Sequence, residues 1–187
     1  MTLNMLLALL IGAVLVFVVL TFNGLVRLRN ESDNALSGID VQLKRRADLI
    51  PNLVEVVAGY AQHESSVLEA VTRARTETLE ARDLPSMEAA DKGMERAVGQ
   101  LFALGESYPD LKASEPFSAL QDELADTEDK VAAARRYYNA VVQRLNTRVQ
   151  SVPSKIVARA FRFSTREFFR VENERDRDVQ PAPLAQR

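Results

Sequence analysis

The sequence predicts an all-α protein: a single N-terminal transmembrane helix followed by an antiparallel four-helix bundle with long, coiled-coil-like helices. Three observations carry that prediction. Residues Thr2 to Val26 hold no charged side chain, and Leu6 to Leu20 is an unbroken run of apolar residues and glycine. The roughly 160 residues that follow, about one domain's worth, are dominated by Ala, Leu, Glu, Arg and Gln, which are good helix formers. Along them apolar residues return every three or four positions, the period of a helix with one buried face.

The stretch from Leu3 to Phe22 is long enough to span a bilayer, because about 20 apolar residues rising 1.5 Å each cross roughly 30 Å of hydrocarbon. A lone span must be helical, since lipid offers its backbone amides no other partner. A cleaved signal sequence would need a basic start, a shorter core and a small-residue cleavage site. No Lys or Arg precedes the run, and Thr21-Phe22-Asn23-Gly24-Leu25-Val26 has no A-x-A pattern. Arg27 and Arg29 follow at once, with Lys44, Arg45 and Arg46 a little further on. The excess of cations on that side predicts a single-pass protein of the cell inner (cytoplasmic) membrane. Its N-terminus lies outside and its C-terminal domain in the cytoplasm. The expected divisions are a short extracytoplasmic N-terminus (1–4), the transmembrane helix (5–25), the bundle domain (26–172) and a disordered tail (173–187).

In the first bundle segment the apolar series is Ile39, Leu43, Ala47, Ile50, Val54, Val57, Ala61, Leu68 and Val71. Pro51 interrupts it, removing a backbone donor and crowding the Ala47 carbonyl, which costs about 3 kcal/mol in a helix interior. The apolar phase continues past it, so the expectation is a kinked or locally broken helix with a buried face; a full reversal of the chain is the alternative. At Asp83-Leu84-Pro85-Ser86, Pro85 stops one helix and Ser86 caps the next, which buries Met87, Met94, Val98 and Leu101. Gly105 to Ser114 reads as a loop. Pro116 then sits in the first turn of a third helix whose seam is Phe117, Leu120, Leu124, Thr127, Val131, Ala134, Tyr138, Val141, Leu145 and Val149. That helix begins acidic and ends basic (Arg135, Arg136, Arg144, Arg148), which complements its dipole. Pro153 opens a short fourth helix reaching about Phe163. Gln180-Pro181-Ala182-Pro183 belongs to the disordered tail.

The chain has no cysteine and one histidine, His63. Val67 stands where a zinc-protease helix needs its second histidine. No glycine cluster forms a phosphate loop, and the carboxylates are expected on the solvated helix faces. No catalytic, cofactor or metal residue is therefore assigned. The net charge of −2 excludes a dedicated nucleic-acid binder. Two cationic clusters remain. Lys44, Arg45 and Arg46 could meet anionic lipid or an acidic partner; the simpler reading is a solvated face with intrahelical pairs such as Asp40 with Lys44. Lys155 to Arg170 interleaves Lys155, Arg159, Arg162, Arg166 and Arg170 with phenylalanines. It lies either on a membrane surface or against the bundle core.

Several blocks resemble the LemA family: Phe22-Asn23-Gly24-Leu25-Val26-Arg27-Leu28-Arg29-Asn30, Ile39 through Val54, Glu106-Ser107-Tyr108-Pro109-Asp110-Leu111-Lys112-Ala113, Ala134 through Val142, and Val152-Pro153-Ser154 through Phe161-Arg162-Phe163. Leu36 stands where an aromatic is common in the family, and Arg162 where glycine is common. The resemblance implies one N-terminal span and a cytoplasmic four-helix bundle, and it brings no catalytic residues. The expected function is a membrane-anchored scaffold or adaptor working by protein contact, through Lys44, Arg45 and Arg46 and through Tyr108, Asp110 and Lys112. The alternative is an anionic-lipid-binding protein acting through Arg159 and Arg166. The expected partners are membrane lipid along the span and a membrane or envelope protein, with a homo-oligomer also open, and no nucleic acid or cofactor.

Overall fold

A computed structural model describes residues 2–61 and 63–170; the tail assigned to 173–187 lies outside them. The described residues form helices and no strand: α1 (Thr2–Ala58), α2 (Ser65–Glu80), α3 (Leu84–Gly105), α4 (Pro109–Lys112), α5 (Glu115–Gln150) and α6 (Ser154–Ala160).

Helix α1 is 57 residues long and is the one described helix long and apolar enough to cross a membrane, with a mean hydropathy of 3.0 in its best window. Leucines and valines from Leu3 to Leu20 stand exposed all round it, whereas a helix of a soluble core would bury them. Burial begins at Thr21 and Leu25 and then follows the bundle face through Ile39, Leu43, Ile50, Leu53 and Val57. No break occurs at Asn23-Gly24.

Pro51 lies inside α1 without ending it, and the residues on either side of it keep their buried phase. The Ala47 carbonyl, deprived of its usual partner by the proline, accepts a hydrogen bond at 3.2 Å from Nε of Arg75 on α2. Replacing Arg75 with methionine is expected to cost about 1.5–3 kcal/mol, the range of a hydrogen bond from a charged group. In a Pro51→Ala background, where residue 51 regains its N–H, most of that cost disappears. Urea unfolding of the four-member double-mutant cycle measures the difference.

The first apolar series is divided between two helices. The chain turns after Ala58, and Ala61 in that turn and Val71 on α2 return to the same core. The cap of α3 also differs from expectation. Asp83 is the cap, accepting from the Ser86 amide at 2.9 Å, while Ser86 Oγ accepts from the Asp83 amide at 3.1 Å. Hydrogen bonding from the Ser86 side chain, and then from its amide, holds the exposed Asp83 carboxyl below its ordinary value. The expected loop at 105–114 contains the single turn α4, which drives Leu111 into the core.

Helix α5 runs antiparallel to α1, as Leu145 packs by Leu25 and Glu128 lies by Arg46. Helices α2 and α3 form a hairpin against the far half of α1. Helices α3 and α5 keep their backbones further apart and meet through long side chains, including Phe102 edge-on to Phe117 at 5.9 Å. The core has three sections. Ile50, Leu53, Met94, Leu101 and Phe117 fill the membrane-distal one, and Ile39, Leu43, Met87, Val131 and Val141 the middle. Leu25, Leu145 and Ala158 fill the section beside the membrane, where α6 replaces the hairpin. Of the expected α5 seam, Leu120, Ala134 and Val149 are half-buried and the rest buried.

After α6 the chain doubles back along α5 as an extended strap. Asn146 accepts from the Arg166 amide and donates to its carbonyl, both at 2.8 Å. Asn139 does the same for Phe169, at 2.8 and 3.0 Å. The reversal passes through Arg162 at φ 58°, the left-handed region that glycine enters without a Cβ penalty. Arg162→Gly is expected to raise stability by about 0.5 kcal/mol, the relief of strain being partly offset by greater freedom of the unfolded chain. Arg162→Ala should give no gain in the same denaturant titration.

Candidate functional site

The three consecutive cations of α1 do not share a face, because successive helical residues point about 100° apart. Lys44 pairs with Asp40 at 2.6 Å, one turn back, and Arg45 is exposed. Arg46 is only 2% exposed and cannot serve as the contact residue proposed from sequence. Its guanidinium lies at the junction of the middle and distal core sections. One Nη bonds Asp91 Oδ1 at 2.7 Å and the Asp91 carbonyl at 3.3 Å; the other meets Glu128. Arg135 of α5 reaches the same Asp91 carboxylate at 2.6 Å and Glu128 at 3.3 Å. The Phe169 ring of the strap lies 5.7 Å from the Arg135 guanidinium.

Two arginines and two carboxylates thus tie α1, α3 and α5 together. Burial pushes the Asp91 carboxyl above its ordinary value, against the pull of Arg135 and Arg46. Nε of Arg46 and Nε of Arg135 are buried without a partner among the described residues. The group carries charge into the core, but no nucleophile adjoins it. No cluster of potential metal ligands occurs among the described residues.

This network was missed in the sequence reading, which placed carboxylates on the surface and Arg135 in the basic end of α5. A signal existed for Asp91: it falls on the three- and four-residue spacing of Met87 and Met94, in the buried phase of α3. Arg135 carries the same cue, standing four residues after Val131 and three before Tyr138 in the buried phase of α5.

The other expected contact residues lie at opposite ends of the domain. Tyr108, Asp110 and Lys112 occupy the membrane-distal tip, next to the turn between α1 and α2. The Tyr108 hydroxyl donates to Glu64 at 3.2 Å, and burial together with Glu64 pushes that phenol up. Lys112 pairs with Glu106 at 2.5 Å, and Asp110 is exposed. His63 is exposed in the same region, as a surface residue should be.

Arg159 and Arg166 sit at the membrane end but in different settings. Arg159 projects from α6 into solvent, while Arg166 in the strap pairs with Asp33 at 2.6 Å. The 155–170 segment therefore splits. Val157, Ala158 and Phe169 enter the core. Ile156 (69% exposed) and Phe161 (51%) face outward, and Phe161 also stacks on Phe22 of α1 with ring centroids 4.8 Å apart.

A family model described as "LemA family" matches residues 35–181. The sequence is also similar to "Magnetosome protein MamQ 2" of Paramagnetospirillum magneticum, at 25% identity over 88% of this chain and 70% of that protein. "Magnetosome protein MamQ" of Magnetospirillum gryphiswaldense shares 24% identity over 79% of this chain and 64% of its own length. "Protein LemA" of Metamycoplasma hominis shares 29% identity over 73% of this chain and 63% of its own. The chain thus spans about two thirds of the length of these relatives.

Proposed function

The chain belongs to the LemA family, and from that premise we propose that it is a membrane-anchored helical scaffold or adaptor. In this reading it works through protein contacts at the cytoplasmic face of a bacterial inner membrane and does no catalysis of its own. The observation that carries it is the unbroken course of α1 from the apolar stretch to the tip. From Val26 to Ala58 the helix rises about 48 Å at 1.5 Å per residue. The α1–α2 turn and the α4 loop, joined by the Tyr108–Glu64 bond, are thereby held at a set height above the bilayer. Loops on a rigid support commonly carry binding, and Asp110 and Lys112 are exposed there beside Glu106.

The test is a photo-crosslinking residue at position 110 of the full chain in growing cells. Discrete adducts of one protein, weakened by Lys112→Glu, are expected. Adducts from the span with none from position 110 would count against a working tip. His63→Ala should leave any cellular phenotype of the gene intact; its loss without unfolding would reopen an enzymatic role.

A second reading is favoured by the outward face of α6. Val152, Ile156 and Phe161 are exposed beside Lys155 and Arg159, at the level where α1 leaves its apolar stretch. Such a surface suits the interface of an anionic bilayer. Reversing Lys155 and Arg159 to glutamate should then reduce protection of α6 amides from exchange in anionic nanodiscs. Unchanged protection refutes it.

A further inference from the structure

An open groove of about 1000 Å³ lies where α1 meets the corner between α5 and α6. Its lower end is Phe17 and Thr21, within the charge-free stretch, and its upper end is Arg27, Arg144 and Arg148 with Glu31. Glu31 is taken by Arg144, at 2.6 Å. Arg27 and Arg148 have no carboxylate partner among the described residues, and both line the groove. The Arg148 guanidinium lies over Gly24, so close that a Cβ there would come within 3.2 Å of its Cζ. The missing side chain at position 24 is what lets the cation reach across to α1.

We propose that this groove binds the headgroup phosphate of an anionic phospholipid, with an acyl chain running down beside Phe17. The inference rests on reading α1 as a span. Three features select this ligand. The groove runs from Phe17 in the charge-free stretch to a cationic end along the membrane axis, as an amphiphile with an anionic head does. Two guanidiniums without a partner match the oxygens of one phosphodiester, which arginine binds through paired N–H donors. The Thr147 and Ser151 side chains line the same wall and can donate to a glycerol or phosphate oxygen.

The experiment is native mass spectrometry of the full chain released from micelles doped with phosphatidylglycerol or phosphatidylcholine of identical acyl chains. A one-to-one phosphatidylglycerol adduct is expected, retained about tenfold more than phosphatidylcholine, the size of a lost charge-assisted bond. The R27Q/R148Q double variant should lower retention to the phosphatidylcholine level. Gly24→Leu, which fills the groove without changing charge or breaking the helix, should do the same. Arg136→Gln, exposed elsewhere on α5, should not.

Equal retention of the two lipids by the unaltered chain overturns the proposal. So does a double variant that keeps its helical circular dichroism and its adduct. Glycerol 3-phosphate competing as well as the lipid would assign the groove to a free phosphate and overturn it equally. Failure of the span reading would show separately, as chain recovered in the soluble fraction without detergent. Reversing Arg159 tests the α6 surface and should leave this adduct in place.

Discussion

Replacing Arg46 with methionine should destabilise the domain by about 3 kcal/mol near neutral pH, the cost of breaking a buried ion pair from one side. Asp91 and Arg135 would remain buried, with Asp91 drawn to one guanidinium instead of two. The effect should depend on pH with a definite sign. The Asp91 carboxyl already titrates above its ordinary value. Its contribution to stability is fully present below the unfolded-state value and is lost as pH rises through the raised one. Removing Arg46 takes away one of the charges pulling that value down, so the loss should deepen and extend to higher pH. Urea unfolding of the full chain in micelles, followed by circular dichroism from pH 4 to 8 (chosen as about the span of carboxylate titration), gives both curves. Replacing Arg46, Asp91 and Arg135 together with Met, Leu and Met should recover most of the stability, because the one charge left of the four, Glu128, is 40% exposed and can be solvated. A triple variant as unstable as Arg46→Met would mean that the network holds the helices in place by geometry that apolar packing does not reproduce.

Phe169→Ala is expected to release the strap. The ring is 2% exposed, and deleting a buried phenylalanine costs about 3–5 kcal/mol. Apart from Asn139, Asn146 and the Tyr138 hydroxyl, which donates to the Glu167 carbonyl at 3.0 Å, little else fastens residues 164–170 to α5. The loss should therefore appear locally. Backbone amides of Arg166 and Phe169 should exchange at nearly unprotected rates, and trypsin should cut after Arg162 or Arg166, while α1 and α5 keep their protection. Global unfolding that moves as much as the strap would show that its ring also supports Arg135 and the charges behind it.

The parts of this molecule that were readable from sequence are those whose cause is local. Lipid forbids charge over a whole span, so Leu6 to Leu20 declared itself, and the α5 seam did the same through its spacing. Where a partner lies far along the chain, sequence was silent. Pro51 is tolerated because Arg75, 28 residues away in sequence, takes the Ala47 carbonyl. The apolar phase from Ile39 to Val71 misled because Ala61, in the turn, and Val71, on a second helix, enter the same core, so periodicity ran across a turn it could not register. The strap leaves no apolar period at all, since its backbone is held by two asparagine side chains. Nothing in the apolar pattern marked Arg162 for its φ of 58°, a backbone conformation that glycine adopts freely. The contact residues fared unevenly for one reason: sequence gives charge but not facing, and Arg46 faces inward while Arg45 faces out.

The unbroken α1 makes the domain a lever whose short arm is in the lipid. A span accommodates a thinner bilayer by leaning over, and with no hinge at Asn23-Gly24 the whole rod leans with it. Over an arm of about 48 Å, a lean of about 10° sweeps the tip sideways by about 8 Å. A spin label held rigidly on α1 at the exposed Arg45 would report that lean as a change in its angle to the bilayer normal between oriented thin and thick bilayers. Bilayer thickness would then be converted into the lateral position of the α4 loop.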